Sequence, residues 1–165
     1  MSMSLIAETA DRFRMDPSAG RTAPSVSAVL ENGRARLAAG SFTWDSDLPA
    51  SIGGTNLAPS PTAYLLGALA GCGVAFLADT LAPEFGVTIE GITAVARCRA
   101  DTAGLVGVEG TVSDLTDIEL EIQVRSPDPE TRTGPMFAAW RERCPILLAL
   151  RNASPVGLQL TAATR

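Results

Sequence analysis

Between Gly53 and Ala78 the chain passes from a Gly/Pro-rich loop into a long uncharged segment, and few folds accommodate that junction. The loop reads Gly53-Gly54-Thr55-Asn56-Leu57-Ala58-Pro59-Ser60-Pro61. Serine is favoured as a helix cap and proline at the position after it, so Ser60 and Pro61 predict where a helix begins. Leu65, Leu69, Cys72 and Phe76 follow at three- and four-residue steps and share one face. Gly67, Gly71 and Gly73 lie among alanines, each at a cost of about 1 kcal/mol relative to alanine in an isolated helix. Their presence predicts that another element packs close to the helix backbone. The helix is expected to reach about Ala82, with Pro83 and Gly86 marking its end.

Around this helix the remaining segments supply a sheet. Residues 4–15 carry Ile6, Ala10 and Phe13 at helical spacing and predict a short amphipathic helix before Pro17. Residues 16–24 read as a linker. Val26, Ala28 and Leu30 alternate, Asn32-Gly33 is a type I′ hairpin signal, and residues 34–37 return as a second strand. Residues 41–44 form a third strand. The loop 45–61 is long enough to suggest a functional role. Strands are expected over 87–100, 111–124 and 156–160, with helical segments starting near 126 and over 146–150. Ile118, Leu120, Ile122 and Val124 alternate with polar residues, as on a sheet with one solvated face. The order of elements predicts an α+β fold with a largely antiparallel sheet, divided into an N-terminal helix and linker (1–24) and one domain (25–165).

Composition narrows the chemistry. The chain of 165 residues is 46% hydrophobic, enough for one packed core. Its net charge of −5 and the lack of a basic run argue against non-specific nucleic-acid binding. It has no histidine, which removes Ser-His-Asp and Cys-His catalysis and the usual catalytic zinc sites. No GxGxxG or phosphate-binding loop occurs, and no Cys/Asp/Glu group has metal-ligand spacing, so no cofactor is expected. The first residues lack a basic region followed by an apolar core, and the apolar run 63–77 is shorter than the roughly 20 residues that span a bilayer. A cytoplasmic protein with reduced thiols and no membrane partner is expected.

The three cysteines, Cys72, Cys98 and Cys144, are too few and too scattered for a disulfide scaffold. Cys144 precedes Pro145 and is expected at a helix N-cap, where free N–H groups, Arg141 and Arg143 would favour a thiolate. It reads equally as a buried cysteine at a helix start. Cys72 alone reads as a core residue before it reads as a catalyst, because free cysteine is often buried. Cys98, flanked by Ala96 and Ala100 on a strand face, reads as structural.

The motifs GGTNLAPSPTAYLLGALAGC, FGVTIEGI, GLVGVEGTV, RCPILLALRN and PVGLQL resemble the OsmC/Ohr superfamily, the osmotically induced and organic-hydroperoxide-resistance proteins. The resemblance covers about residues 25–160. It implies an OsmC-like fold in which antiparallel sheets wrap central helices in an intertwined homodimer. It also implies a two-cysteine thiol peroxidase acting on organic hydroperoxides, with an external dithiol as reductant. Cys72 matches the cysteine that attacks the peroxide and Cys144 the one that resolves it. Peroxidase members carry a glutamate just after the proline that opens the cysteine helix, together with a partner arginine. Thr62 stands at that position here, and Arg34, Arg36 and Arg143 are the candidate thiolate-stabilising cations. The missing glutamate leaves a second expectation open, a dimer of this fold that binds a small apolar or electrophilic ligand without turnover.

Overall fold

The computed structural model describes residues 5–162. The first helix, α1, occupies Leu5–Met15, and Ser4, where it was expected to start, lies outside the described residues. A single turn, Pro17–Gly20, follows and folds back so that Gly20 meets the Phe13 ring. Strands β1 (Ser27–Glu31), β2 (Arg34–Ala39) and β3 (Phe42–Ser46) then form an antiparallel meander. Asn32 and Gly33 take φ of 50° and 76°, the left-handed pair that a type I′ turn requires, and pair Glu31 with Arg34.

The loop after β3 is built around the buried carboxylate of Asp47. It accepts hydrogen bonds from the backbone N–H groups of Leu48 (2.7 Å), Thr55 (3.1 Å) and Leu57 (3.0 Å), and from the Thr55 hydroxyl (2.6 Å). Gly54 is required here, since a Cβ on it would lie 1.9 Å from the Leu48 carbonyl oxygen. The Thr55 hydroxyl and the three N–H groups hold the Asp47 carboxyl well below the usual carboxylate range. A depressed carboxyl stabilises the fold above its unfolded value of 3.8, and that stability is lost as pH falls. Asp47→Asn should therefore weaken the protein at neutral pH and flatten its acid denaturation below about pH 4, read by urea titration across pH.

Ser60 caps α2 (Pro61–Ala75) by accepting the Ala63 N–H at 3.2 Å, with Pro61 first in the helix. Tyr64 ties the meander to this first turn, donating its hydroxyl to the Asp45 carbonyl at 2.6 Å. After Ala75 the chain stays helical through a π-type segment, Phe76–Leu81, and a last turn, α3 (Ala82–Phe85). The continuous helix Pro61–Phe85 has 25 residues and is long and apolar enough to cross a membrane by length and composition alone, which the uncharged run 63–77 did not indicate. It is also the core helix, since Leu69, Leu77 and Leu81 are buried.

Strands β4 (Gly91–Ala100) and β5 (Leu115–Arg125) form a second antiparallel sheet. A short helix, α4 (Thr102–Leu105), lies in their connection, and α5 (Glu130–Arg143) and α6 (Pro145–Arg151) complete the helices among the described residues. Gly73 is the helix glycine that the sheet approaches: a Cβ there would lie 2.9 Å from Ile122 Cδ1. The expected close packing fails at Gly67 and Gly71, where no other element among the described residues would come within 4 Å of an added Cβ. The main core joins Leu77, Leu81, Ala82 and Val87 to Met136, Ala139, Trp140 and Cys144.

Three expected strands are corrected. The strand expected from Val87 begins at Gly91, because the Val87 N–H completes the helix end by bonding the Ala82 carbonyl at 2.8 Å, and Asp128 takes the Thr88 N–H. The strand expected from Thr111 begins at Leu115, because Thr111 is turned onto the Val108 carbonyl and residues 112–113 pack against Gly104. The strand expected over 156–160 is not formed. Val156, Leu158 and Leu160 are 89%, 79% and 85% exposed, and no strand among the described residues offers them a ladder.

Candidate functional site

The fold brings Cys72 and Cys144 into contact. Cys72 sits on the face of α2 that carries Leu69, one turn earlier, and Phe76, one turn later. Cys144 sits between two helices. Its N–H closes α5 on the Trp140 carbonyl at 2.9 Å, and its carbonyl opens α6 by accepting the Leu148 N–H at 3.0 Å. Pro145 is the first residue of α6, as the Cys-Pro pair predicts, and the Leu147 N–H points to the Cys144 sulfur at 3.5 Å. The two Sγ atoms are 3.0 Å apart and both thiols are free. A disulfide bond is only about 1 Å shorter, so a small shift of one side chain suffices to join them.

Access to the pair is unequal. Cys144 is fully buried, whereas Cys72 is half-buried and faces the edge of the core. Trp140 donates its indole N–H to the Cys72 carbonyl at 3.5 Å. Burial, and then the neighbouring Cys144 thiol, push the Cys72 thiol up to about 11, with the Ile146 N–H acting in the opposite sense. The groups that act on Cys72 therefore include no arginine. Cys98 lies apart from the pair, half-buried on β4 where the β4–β5 register shifts between Arg97 and Arg99.

The candidate cations are engaged elsewhere. Arg36 bonds Asp45 at 2.9 Å and the Thr43 hydroxyl at 2.8 Å, within the meander. Arg143 adjoins Cys144 in sequence, but both of its terminal nitrogens bond the Glu84 carboxylate at 2.9 Å and clamp α5 to α3. Arg34 borders a polar hollow of about 230 Å³ with Glu31, Asn32, Arg36 and Asp45, and its Nε is buried without a hydrogen-bond partner. Thr62 is ten residues before Cys72, about 15 Å along a helix at 1.5 Å per residue. A side chain at that position cannot reach the Cys72 sulfur of its own helix.

A cleft of about 520 Å³ adjoins the pair, and sequence reading did not find it. Leu69, Ile122, Phe137, Trp140 and Leu147 line it, with Arg141 and Arg151 as its charged residues. Its residues come from the α2 helix, β5 and the consecutive helices α5 and α6, so no single local motif marks it. Among the described residues no group of three or more His, Cys, Asp or Glu side chains could hold a metal ion.

Comparison with known proteins agrees with the fold. A family described as OsmC-like protein matches residues 54–159. Among solved structures, an OsmC-like protein from Mycoplasma pneumoniae is similar at 24% identity, covering 81% of this chain and 90% of its own, with a TM-score of 0.66. An organic hydroperoxide resistance protein from Legionella pneumophila is 14% identical over 79% of this chain and 90% of its own, with a TM-score of 0.55. The organic hydroperoxide resistance protein OhrB of Bacillus subtilis is 19% identical over 79% and 91%, with a TM-score of 0.50. No curated protein sequence matches the chain.

Proposed function

Since this chain belongs to the OsmC-like protein family, we propose that it reduces organic hydroperoxides through a two-cysteine thiol cycle. The observation that carries the reading is the 3.0 Å contact between the sulfurs of residues 72 positions apart. Cys72, the more accessible of the two, attacks the terminal peroxide oxygen as a thiolate. The O–O bond breaks, an alcohol leaves with the proton, and Cys72 becomes a sulfenic acid. The Cys144 sulfur then displaces water from it to form the disulfide. An external dithiol restores both thiols and is itself oxidised. The apolar surroundings of Cys72 suit an alkyl or aryl hydroperoxide better than hydrogen peroxide. No cofactor enters this cycle.

The working form in this reading is a homodimer in the cytoplasm, where the thiols stay reduced between turnovers. Three features support the dimer: the open Gly67 and Gly71 one turn apart on an apolar helix, the exposed Val156, Leu158 and Leu160, and the distance from position 62 to Cys72. Residues 25–165 form the working unit, within which the family match lies, and residues 1–24 are an appendage.

A second reading, ligand binding without turnover, draws on two observations. Thr62 replaces the glutamate of the resemblance, and the Cys72 thiol is raised to about 11. At pH 7 a group of that pKa is thiolate in about one molecule in ten thousand. The readings separate on treating reduced protein with one equivalent of cumene hydroperoxide and measuring intact mass. A reductase loses two hydrogens and keeps one free thiol. Its rate should climb about tenfold per pH unit above pH 7 as the thiolate forms. Retention of all three thiols at high pH would sink the peroxidase reading and leave binding.

A further inference from the structure

Two unbonded sulfurs 3.0 Å apart can also be bridged by a third atom, and their spacing selects which. Two bonds of about 2.3 Å, the length zinc makes to sulfur, span about 4.6 Å in line, about 3.8 Å at a tetrahedral angle and about 3.3 Å at a right angle. A linear centre such as mercury(II) or copper(I) would have to push the sulfurs well apart. Cys144 opposes that, because it is fully buried, its backbone joins α5 to α6, and its sulfur meets the Leu147 N–H at 3.5 Å. A tetrahedral zinc would need further ligands, and among the described residues no third His, Cys, Asp or Glu completes a metal-binding group. Cys98 stands outside the core cluster that holds both sulfurs. The spacing therefore fits a pyramidal, nearly right-angled, thiophilic centre.

Charge points the same way. A bound metal cation would require both thiols to ionise, and the Cys72 thiol, pushed up to about 11 by burial and by Cys144, resists this. A neutral product suits a core made by Leu77, Met136 and Trp140 better than an ion does. Trivalent arsenic meets both conditions, since it is pyramidal and condenses with neutral thiols. We propose that Cys72 and Cys144 form a chelating site for trivalent arsenicals that carry one organic substituent. In the step, two As–S bonds form and the two As–O bonds of the arsonous acid break. Each thiol proton leaves on a released hydroxide as water. Arsenic stays trivalent and the sulfurs keep their oxidation state, so no oxidant or reductant is consumed. Cys72, the accessible partner, bonds first, and Cys144 closes the ring. Inorganic arsenite keeps a hydroxyl at its third position and gains from a third sulfur, which this pair does not offer. The site stands on the sulfur pair alone and does not depend on peroxide turnover.

The test is one equivalent of phenylarsine oxide added to the reduced full chain in peroxide-free buffer. Intact mass should rise by one phenylarsine oxide less one water. Iodoacetamide should then label Cys98 alone, as located by peptide mapping, and this readout needs no variant. Ethanedithiol should strip the arsenic and restore all three thiols, whereas a monothiol at the same concentration should not. Cys72→Ser and Cys144→Ser should each hold the arsenical at least about a hundredfold more weakly, because a single As–S bond lacks the neighbouring sulfur, and Cys98→Ser should bind as the wild type does. Inorganic arsenite should bind at least about tenfold more weakly than phenylarsine oxide. Labelling of Cys72 or Cys144 in the treated wild type, or equal retention by the single variants, would overturn the proposal. An adduct on Cys72 and Cys144 with no thiol loss to cumene hydroperoxide would keep the site and refute the reductase. Turnover of cumene hydroperoxide without an adduct would refute the site and keep the reductase.

Discussion

In Cys144→Ser protein, one equivalent of cumene hydroperoxide should leave Cys72 carrying an added oxygen, where the wild type loses two hydrogens. The substitution keeps the size of a fully buried side chain and removes its ability to displace water from a sulfenic acid. The contact at 3.0 Å gives Cys144 an effective concentration that no dissolved thiol at millimolar level equals, so closure of a mixed disulfide with an added thiol should be at least about a hundredfold slower. Excess peroxide should then drive Cys72 on to sulfinic acid, which the wild type avoids by closing its disulfide. Cys72→Ser protein should take up no oxygen. If Cys144→Ser protein still loses two hydrogens, Cys98 is the resolving thiol and the pairing argued from the 3.0 Å contact is wrong.

Leu81→Ala should cost about 2–5 kcal/mol, a large share of the 5–15 kcal/mol by which domains are ordinarily stable. Leu81 is 0% exposed in the π-type segment and belongs to the core with Met136, Trp140 and Cys144. The segment's backbone is fixed by its neighbours, so the cavity has little room to collapse. The urea midpoint should fall with an unchanged slope. Leu158→Ala is the contrasting case. In an isolated chain that side chain is 79% exposed, and its loss should change stability by less than about 0.5 kcal/mol. A loss of several times that amount would mean that a second copy covers residues 156–160. A near-neutral result at all protein concentrations would argue against the dimer.

What the sequence discloses here follows from the range of each interaction. Ser60, Pro61 and the Asn32-Gly33 turn are local signals, and each is realised where expected. Val156, Leu158 and Leu160 alternate as a strand does, but alternation specifies a pleated surface and not the strand beside it. Val87 has strand propensity, yet the Ala82 carbonyl claims its N–H. The π-type segment has no signature in Phe76–Leu81 beyond an apolar run. The same limit governs the site. Cys72 and Cys144 could be paired on paper only through a family resemblance, since nothing local links them. Arg143 pointed to Cys144 by adjacency, and Glu84, 59 residues away, takes its guanidinium instead. Arg141 was legible as a charge near Cys144, but the cleft it shares with Arg151 exists only once four elements are assembled.

The wide separation of the two sulfurs along the chain bears on a property besides catalysis. A bond between them would close a loop of 72 residues in the denatured chain. Chain-entropy reasoning assigns such a loop about 4 kcal/mol in favour of the folded state. Each turnover would thus alternate the protein between a form that unravels and is digested more readily and one that resists both, so that its lifetime would register the balance between peroxide supply and reductant.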